Sequence, residues 1–294
     1  MNGHKSSVPP AGVWAPAITF FNQDTDELDL AAQAKYYKYL SQHLTGLVIL
    51  GTNAETFLLT REERAALLRC AREAVGPEYP IMAGVGGHST KQVLEFIHDA
   101  AEAKADYVLV LPCAYFGKAT TTKVITNFYD EVAAKSPLPH RVTNGIDLDS
   151  DLITSLAKRH QNIVGVKLTC ASVAKITRLA ASLHPSQFSI FGGQSDFLLG
   201  GLASGSAGCI AAFANVFPKS IKRVYDLWVA GEREEAMGIH RTAALAETVC
   251  KGGIGNTKFA AGCTSAKSAG VEGGRGWLGL GGLMRGWGRG LRRR

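Results

Sequence analysis

The chain has 294 residues, of which 46% are hydrophobic and 19% charged, and its formal net charge is +7. This composition excludes a largely disordered chain and predicts a folded protein with a substantial core. The basic excess lies at the end, because residues 271–294 contain six arginines and one glutamate, which leaves +2 for residues 1–270. A nearly neutral body argues against nucleic acid and membrane surfaces as partners, since these attract broad basic faces.

Short apolar runs alternate with longer helical patterns from Gly12 onward. Most of the intervening segments have apolar residues at the i, i+3 and i+4 spacing of an amphipathic helix. Repeated β-α units of this kind predict a parallel sheet covered by helices. The apolar runs occupy residues 13–21, 46–50, 80–85, 106–111, 162–169, 188–191 and 208–213.

Two of the predicted helices begin with the pattern of a capping box. Thr60 is followed by Glu63, and Ser89 by Gln92. In a capping box both side chains bind backbone amides that the first helical turn leaves unpaired. The sequence therefore predicts helix starts at these two positions.

One strand of the alternation is truncated. The helical patterns that end near Lys135 and begin near Asp149 are joined by SPLPHRVTNGIDL, which has no run of four apolar residues. With a truncated fifth strand counted here, the chain has eight β-α units, the number of a (β/α)8 TIM barrel. A fingerprint for dinucleotides, which an open sheet would favour, is absent from the sequence.

The chain divides into four predicted regions. Residues 1–11 are expected to be a disordered N-terminus, 12–230 the TIM barrel and 231–270 a C-terminal helical extension. Residues 271–294 contain nine glycines and six arginines, without helical or alternating periodicity. We expect them to be a low-complexity tail. Binding of RNA or an acidic surface through this tail is the weakest functional alternative.

The remaining motif searches are negative. The six cysteines form no CxxC pair and the polar N-terminus does not resemble a signal peptide, which predicts a reduced, cytoplasmic location without disulfides. The eight histidines lack the spacings of metal sites. We therefore predict covalent chemistry that requires no cofactor and no metal.

Lys167 is the most informative single residue. In the segment NIVGVKLTC, strand alternation turns Val166 and Leu168 toward the helices and Lys167 toward the barrel interior. Desolvation penalises an ammonium ion, so an interior lysine becomes a neutral nucleophile able to form a Schiff base with a ketone. The alternative is a lysine at a strand end that reaches solvent or pairs with an acid.

Two further segments lie where the C-terminal ends of barrel strands carry active sites. GTNAET, residues 51–56, offers Thr52 and Asn53 with donors suited to a carboxylate. Tyr115, after the fourth strand, is a candidate for proton transfer. An ordinary βα turn and a packed tyrosine are the respective alternatives.

Together these segments resemble the dihydrodipicolinate synthase / N-acetylneuraminate lyase family of pyruvate-handling barrels. The resemblance extends over about residues 12–260, through GTNAET, AGVGGHST, LPCAYF, GVKLTC and GCIAAFAN in the family's order. Within the family, the sequence looks most like the fungal 2-keto-3-deoxy-L-galactonate (L-threo-3-deoxy-hexulosonate) aldolase branch. A relation to 4-hydroxy-2-oxoglutarate aldolases also fits.

The resemblance implies a role for each matching residue. Lys167 would form the Schiff base with the C2 ketone of a 2-keto acid, and Thr52 and Asn53 would hold its C1 carboxylate. Tyr115 would belong to a proton relay. Gly193 and Ile210 would line the pyruvate pocket. The implied reaction is cleavage to pyruvate and an aldehyde by a homo-oligomer, a dimer or tetramer.

The fifth strand departs from the family pattern. Relatives end this strand with Y-N-x-P, whose tyrosine transfers protons, whereas here SPLP continues into HRVTNG. About six residues, including that tyrosine, are absent by comparison with the family pattern. Three alternatives to the sugar-acid aldolase therefore stand: 4-hydroxy-2-oxoglutarate aldolase, a dihydrodipicolinate synthase-like activity, and an impaired paralogue that binds a keto acid.

Overall fold

The computed structural model of the chain describes residues 8–22, 24–113, 120–143 and 148–271. Within these ranges, eight parallel strands close into a barrel in chain order, with β8 paired to β1. The predicted TIM barrel is confirmed. The strands are Gly12–Pro16 (β1), Gly46–Ile49 (β2), Ile81–Gly84 (β3), Tyr107–Val110 (β4), His140–Thr143 (β5), Ile163–Leu168 (β6), Ser189–Gly192 (β7) and Gly208–Ile210 (β8).

In the described ranges, a helix follows each strand, and three further α-helices follow the last β-α unit. The crossover helices are Leu30–Ser41 (α1), Arg61–Val75 (α2), Thr90–Glu102 (α3), Thr122–Lys135 (α4), Ser150–Arg159 (α5), Val173–Ser182 (α6), Leu198–Ala203 (α7) and Pro218–Ala230 (α8). The C-terminal helices are Arg233–Glu247 (α9), Ile254–Cys263 (α10) and Ser265–Ser268 (α11). In the described part of the chain, no helix combines the length and apolar composition needed to cross a bilayer.

The four-region division of the chain stays a prediction. Residues 1–7 of the predicted disordered N-terminus lie outside the described residues. Residues 272–294, which are almost all of the predicted tail, lie outside them too.

The core has two layers, as expected for strands buried on both faces. The larger layer fills the space between the barrel and the helices, and the smaller one fills the barrel interior. Trp14 dominates the interior, where it packs edge-to-face on Tyr107 and Phe191. Gly46 permits this arrangement, because a Cβ there would lie 2.4 Å from the indole ring. The other interior side chains of this layer are Val48, Met82, Leu109 and Ile210.

The fifth strand is formed by HRVT, the segment that the sequence predicted to be truncated. It pairs in parallel with both β4 and β6, so the barrel wall is continuous. The pairing is irregular at one point: His140 faces Ile163 and Arg141 faces Gly165, so that Val164 is skipped. A four-residue strand with a charged pair therefore closes the barrel, although no apolar run marked it in the sequence.

One of the two predicted capping boxes is complete in the structure, and the other is only half formed. At α2 the box is complete, because the Thr60 side chain accepts from the Glu63 amide and the Glu63 side chain accepts from the Thr60 amide. At α3 only the first half is as predicted: Ser89 accepts from the Gln92 amide, while Gln92 Oε1 accepts from the His88 amide instead. The helix start is correct in both cases.

Candidate active site

Lys167 lies near the C-terminal end of β6, on the face that turns into the barrel. Its neighbours Val166 and Leu168 are fully buried in the outer core layer, so the predicted alternation holds. The side chain is half-buried, and no hydrogen bond or ion pair of its amine is found among the described residues. Desolvation and, secondly, the positive charge of Arg141 lower its pKa from 10.5 to about 8. A substantial fraction of the amine is therefore neutral near physiological pH.

Arg141 occupies the barrel interior one strand away from Lys167. Its Nη2 donates to the carbonyl oxygens of Val166 and Ser189, at 2.6 and 3.0 Å. The guanidinium carbon lies 4.1 Å from the centre of the Phe191 ring. Burial lowers the pKa of Arg141 to about 9, so the group remains charged at neutral pH. Within the described residues, its Nε and Nη1 have no hydrogen-bond partner.

Gly165 makes room for this arginine. A Cβ at Gly165 would lie 3.2 Å from the Arg141 guanidinium carbon and 2.5 Å from the Ser189 carbonyl oxygen. Gly165 and Arg141 are register partners on β6 and β5. The glycine two residues before Lys167 thus lets a cation enter the barrel beside the reactive amine.

The GTNAET segment, residues 51–56, leaves the C-terminal end of β2 as a short 3-10 turn. The amides of Ala54 and Glu55 donate to Gly51 and Thr52 carbonyls and are used by the turn itself. Thr52 is exposed and Asn53 half-buried, and their amides make no hydrogen bond to the described residues. These two residues therefore retain donors for an anionic ligand at this end of the barrel.

Buried charged side chains hold the GTNAET segment in place. Arg64 on α2 donates to the Thr56 side chain, to the Thr56 carbonyl at 3.1 Å and to the Gly84 carbonyl at 3.0 Å. Glu55 adopts the left-handed backbone conformation, with φ of 57°, and its carboxylate pairs with Lys258 of α10. The C-terminal helical extension is thereby attached to the predicted carboxylate-binding turn.

Gly193 directly follows β7, and Ile210 is the last residue of β8. The Gly193 amide donates to the Leu168 carbonyl at 2.7 Å, and a Cβ at Gly193 would overlap Thr169. This glycine permits close approach of the chain segments that follow β6 and β7. Ile210 is fully buried in the interior layer, in register with Trp14. Tyr115 lies outside the described residues.

The loop after β7 is held by a second buried cluster. Ser195 donates through Oγ and through its amide to the Glu247 carboxylate, at 2.6 and 3.2 Å. His240 Nε2 donates to the Ser195 carbonyl at 2.8 Å. Burial raises the pKa of Glu247. The carboxylate and the imidazole on α9 thus position the backbone beyond Gly193, near the end of β7.

The sequence singled out Lys167 and the GTNAET turn as candidates, but it did not single out Arg141, Arg64, Glu55 or Lys258. Glu55 stands inside the GTNAET motif, and an acid in a predicted ligand loop is a signal that was available. Arg141 was visible only as an unfavourable residue in a weak strand. Arg64 and Lys258 carried no local signal, because their partners lie on other elements.

The sequence profile of the dihydrodipicolinate synthetase family matches residues 9–256, which is most of the chain. The chain belongs to this family. Among solved structures, a dihydrodipicolinate synthase family protein from Coccidioides immitis superposes with a TM-score of 0.88 at 62% identity, covering 92% of this chain and 88% of that one. YagE from Escherichia coli K12, solved in complex with pyruvate, gives a TM-score of 0.78 at 28% identity, covering 85% of this chain and 87% of that one.

Several curated relatives of this dihydrodipicolinate synthetase family member are named as aldolases, and others as 4-hydroxy-tetrahydrodipicolinate synthases. A Coccidioides immitis (strain RS) protein, provisionally named mitochondrial 4-hydroxy-2-oxoglutarate aldolase, is 65% identical over 272 residues, which cover 90% of this chain and 87% of the relative. The L-threo-3-deoxy-hexylosonate aldolase of Aspergillus niger is 36% identical over 284 residues, covering 85% and 84%. The family resemblance inferred from the motifs is confirmed.

Proposed function

We propose that the protein is a class I aldolase that cleaves a 4-hydroxy-2-keto acid to pyruvate and an aldehyde through a Schiff base on Lys167. The observation that carries the proposal is the Lys167 amine, which points into the barrel near the C-terminal end of β6 with a pKa lowered to about 8. A neutral amine in a water-poor site is the nucleophile that imine formation requires. The names of the relatives support the same reaction class.

The reaction proceeds through four steps. Neutral Lys167 attacks the C2 ketone, and the resulting carbinolamine takes up one proton and loses water, which gives a protonated imine; the final hydrolysis returns that proton. A base removes the proton of the C4 hydroxyl, the C3–C4 bond breaks, and its electron pair moves to the iminium nitrogen. The aldehyde departs, and the enamine takes a proton at C3. Water then hydrolyses the imine, which releases pyruvate and regenerates the amine.

The remaining predicted residues bind and orient the keto acid. Thr52 and Asn53 hold the C1 carboxylate through their unused donors. Gly193 and Ile210 border the pyruvate moiety, and Tyr115 relays protons. The tyrosine that relatives carry on the fifth strand has no counterpart among His140–Thr143, so proton transfer at C4 falls to another group. An impaired, keto-acid-binding protein is the alternative that this absence favours.

Two substrates fit the proposed chemistry. The motif resemblance favours 2-keto-3-deoxy-L-galactonate, which yields pyruvate and L-glyceraldehyde. The 65% identity to a protein named for 4-hydroxy-2-oxoglutarate favours that dicarboxylate as the second candidate. A dihydrodipicolinate synthase-like condensation is the remaining alternative, and it begins with the same pyruvate imine.

The test is to incubate the protein with pyruvate, reduce with borohydride and locate the adduct by peptide mass spectrometry. We expect modification of Lys167, none in a K167R variant, and unchanged modification in K158R, which alters an exposed lysine on α5. An unmodified Lys167 overturns the proposal. Pyruvate release from each candidate substrate then identifies the reaction, and an adduct without release from either identifies the impaired alternative.

The assembly and the compartment are part of the same proposal. The enzyme acts as a homo-oligomer, a dimer or tetramer, on a small-molecule keto acid; light scattering after gel filtration measures this. The sequence analysis predicts a cytoplasmic location, whereas two fungal relatives carry the word mitochondrial in their names. Imaging of the tagged chain in a fungal cell distinguishes the two compartments.

A further inference from the structure

Arg141 is a fully buried cation that lacks a counter-ion among the described residues. Burial of an unpaired charge is costly, and arginines in protein interiors are normally matched by carboxylates. Here the guanidinium is fixed by two backbone carbonyls and by the face of Phe191. Its two remaining donor atoms have no partner in the described part of the chain. A purely structural role explains this arrangement poorly, because an apolar side chain of similar length would avoid the cost.

The position of the arginine relates it directly to Lys167. Arg141 and Lys167 lie on the interior faces of adjacent strands, and the register partner of Arg141 is Gly165, two residues before the lysine. Phe191, which stacks on the guanidinium, is the register partner of Lys167 on β7. The two cations therefore occupy the same region of the barrel interior, where water is largely excluded and charges interact strongly.

We propose that Arg141 is a positioning residue that activates Lys167, because its fixed positive charge in the barrel interior disfavours a second positive charge on the neighbouring amine. The proposal rests on the imine chemistry proposed above and deepens it. A cation that cannot move away, since its contacts to β6 and β7 hold it, thus increases the fraction of the lysine that is neutral and able to attack a ketone.

The other ionisable groups near Lys167 do not cancel this charge. Cys209 on β8 interacts electrostatically with Lys167, and burial raises the pKa of the thiol, so the thiol stays neutral. Tyr107 on β4 interacts with Arg141, and burial raises the pKa of its phenol to about 12. Glu247 on α9 acts on Cys209, and its carboxylate accepts two hydrogen bonds from Ser195. The positive charge of Arg141 thus remains the main charge acting on the amine from the described residues.

The test measures the ionisation of Lys167 without relying on aldolase activity. Lysines of the folded protein are methylated with formaldehyde and cyanoborohydride for short times between pH 6 and 10.5. Peptide mass spectrometry then gives the initial rate at Lys167 and at the exposed Lys158 in the same sample. The midpoint of each pH profile reports the ionisation of that amine, whether or not pyruvate forms an imine.

We expect a midpoint near pH 8 for wild-type Lys167 and a rise of about 1 pH unit in R141M, which removes the charge. At pH 7 this rise corresponds to modification about tenfold slower, with little change at pH 10.5. R141K keeps a charge and is expected to stay near the wild-type midpoint. Lys158 is expected to show the same profile in all variants.

A merely structural role predicts a different result, namely a change in rate at every pH without a shifted midpoint. An unshifted midpoint in folded R141M overturns the proposal, as does an equal shift in R141K. If R141M does not fold, R141Q serves instead, because its amide still donates to the β6 and β7 carbonyls without a charge. If wild-type protein forms no pyruvate adduct, the proposed function is overturned. The methylation profiles still test the effect of Arg141 on Lys167, because they do not depend on imine formation.

Discussion

Oε1 of Glu55 and Nζ of Lys258 lie 2.5 Å apart, and both side chains are almost completely shielded from solvent. The pair joins the turn after β2 to helix α10, across 203 residues of sequence. Lys258 also lies 5.0 Å from the centre of the Phe21 ring. The C-terminal helices are therefore tied by a buried charge pair to the turn that we propose binds the substrate carboxylate.

Removal of one partner of this pair is expected to be severe. E55Q or K258M leaves the other charge buried and alone, so the free energy of unfolding should fall by about 3–5 kcal/mol. Urea unfolding at pH 7 measures the change. The double variant E55M/K258M should recover much of the loss, because neither charge remains. D226N, which breaks the exposed Lys222–Asp226 pair on α8, is the control and should cost no more than about 0.5 kcal/mol.

Arg64 on α2 also supports this turn. R64A removes donors to the Thr56 and Gly84 carbonyls and a stacking partner for Phe96, whose ring centre lies 3.9 Å from the guanidinium. We expect a loss of about 2–3 kcal/mol in unfolding free energy and weaker binding of the 2-keto acid substrate, seen as an increased KM. R64K should not rescue, since an ammonium cannot replace the planar fork. R69A, an exposed arginine of the same helix, should change neither quantity; an unaltered KM in R64A would contradict the assigned role.

Lys167 is expected to reduce stability at neutral pH. Its folded pKa is about 8 against an ordinary value of 10.5, so the unfolded chain binds the extra proton more tightly over this range. Stability from this group therefore rises between pH 8 and 10.5, and the full penalty applies below pH 8. K167M should be more stable than wild type by roughly 3 kcal/mol at pH 7, and the gain should vanish near pH 11. K158M should show no such pH-dependent gain.

His140 also lowers the free energy of unfolding, but it does so at acidic pH. Burial lowers its pKa from 6.5 to about 4, so the folded state holds it neutral while the unfolded state is protonated. Wild-type stability should therefore fall as the pH decreases from 6.5 toward 4, by roughly 2–3 kcal/mol from this group. H140L should lose less stability over this range, measured by thermal unfolding at pH 4.5 and 7. An H184L variant, at an exposed histidine, should follow wild type.

Patterns within single segments predicted most of the fold. Seven strands were marked by apolar runs because both faces of a barrel strand are buried, which makes the strand apolar throughout. Strand alternation was sufficient to turn Lys167 inward, since the side-chain period of two leaves no choice once Val166 and Leu168 face the helices. The complete capping box at Thr60 and Glu63 is equally local.

The features that the sequence could not predict depend on distant partners. HRVT forms β5 because its neighbours β4 and β6 supply hydrogen bonds on both sides, although its own composition disfavours a core strand. Arg141 is accommodated by Gly165 and Phe191, which belong to other strands. The Glu55–Lys258 pair likewise exists only once the chain is folded. Tertiary contacts, rather than propensity, determine these elements.

The skipped residue Val164 interrupts the ladder between β5 and β6. The four residues of β5 pair with only four of the six residues of β6, and the ladder is interrupted after His140. Amide protons along this seam should exchange with deuterium by local opening sooner than those between β6 and β7, where four consecutive pairs are in register. Because Arg141 and Lys167 lie on the two strands of this seam, its exchange rate reports how firmly the two strands that carry both cations are held together.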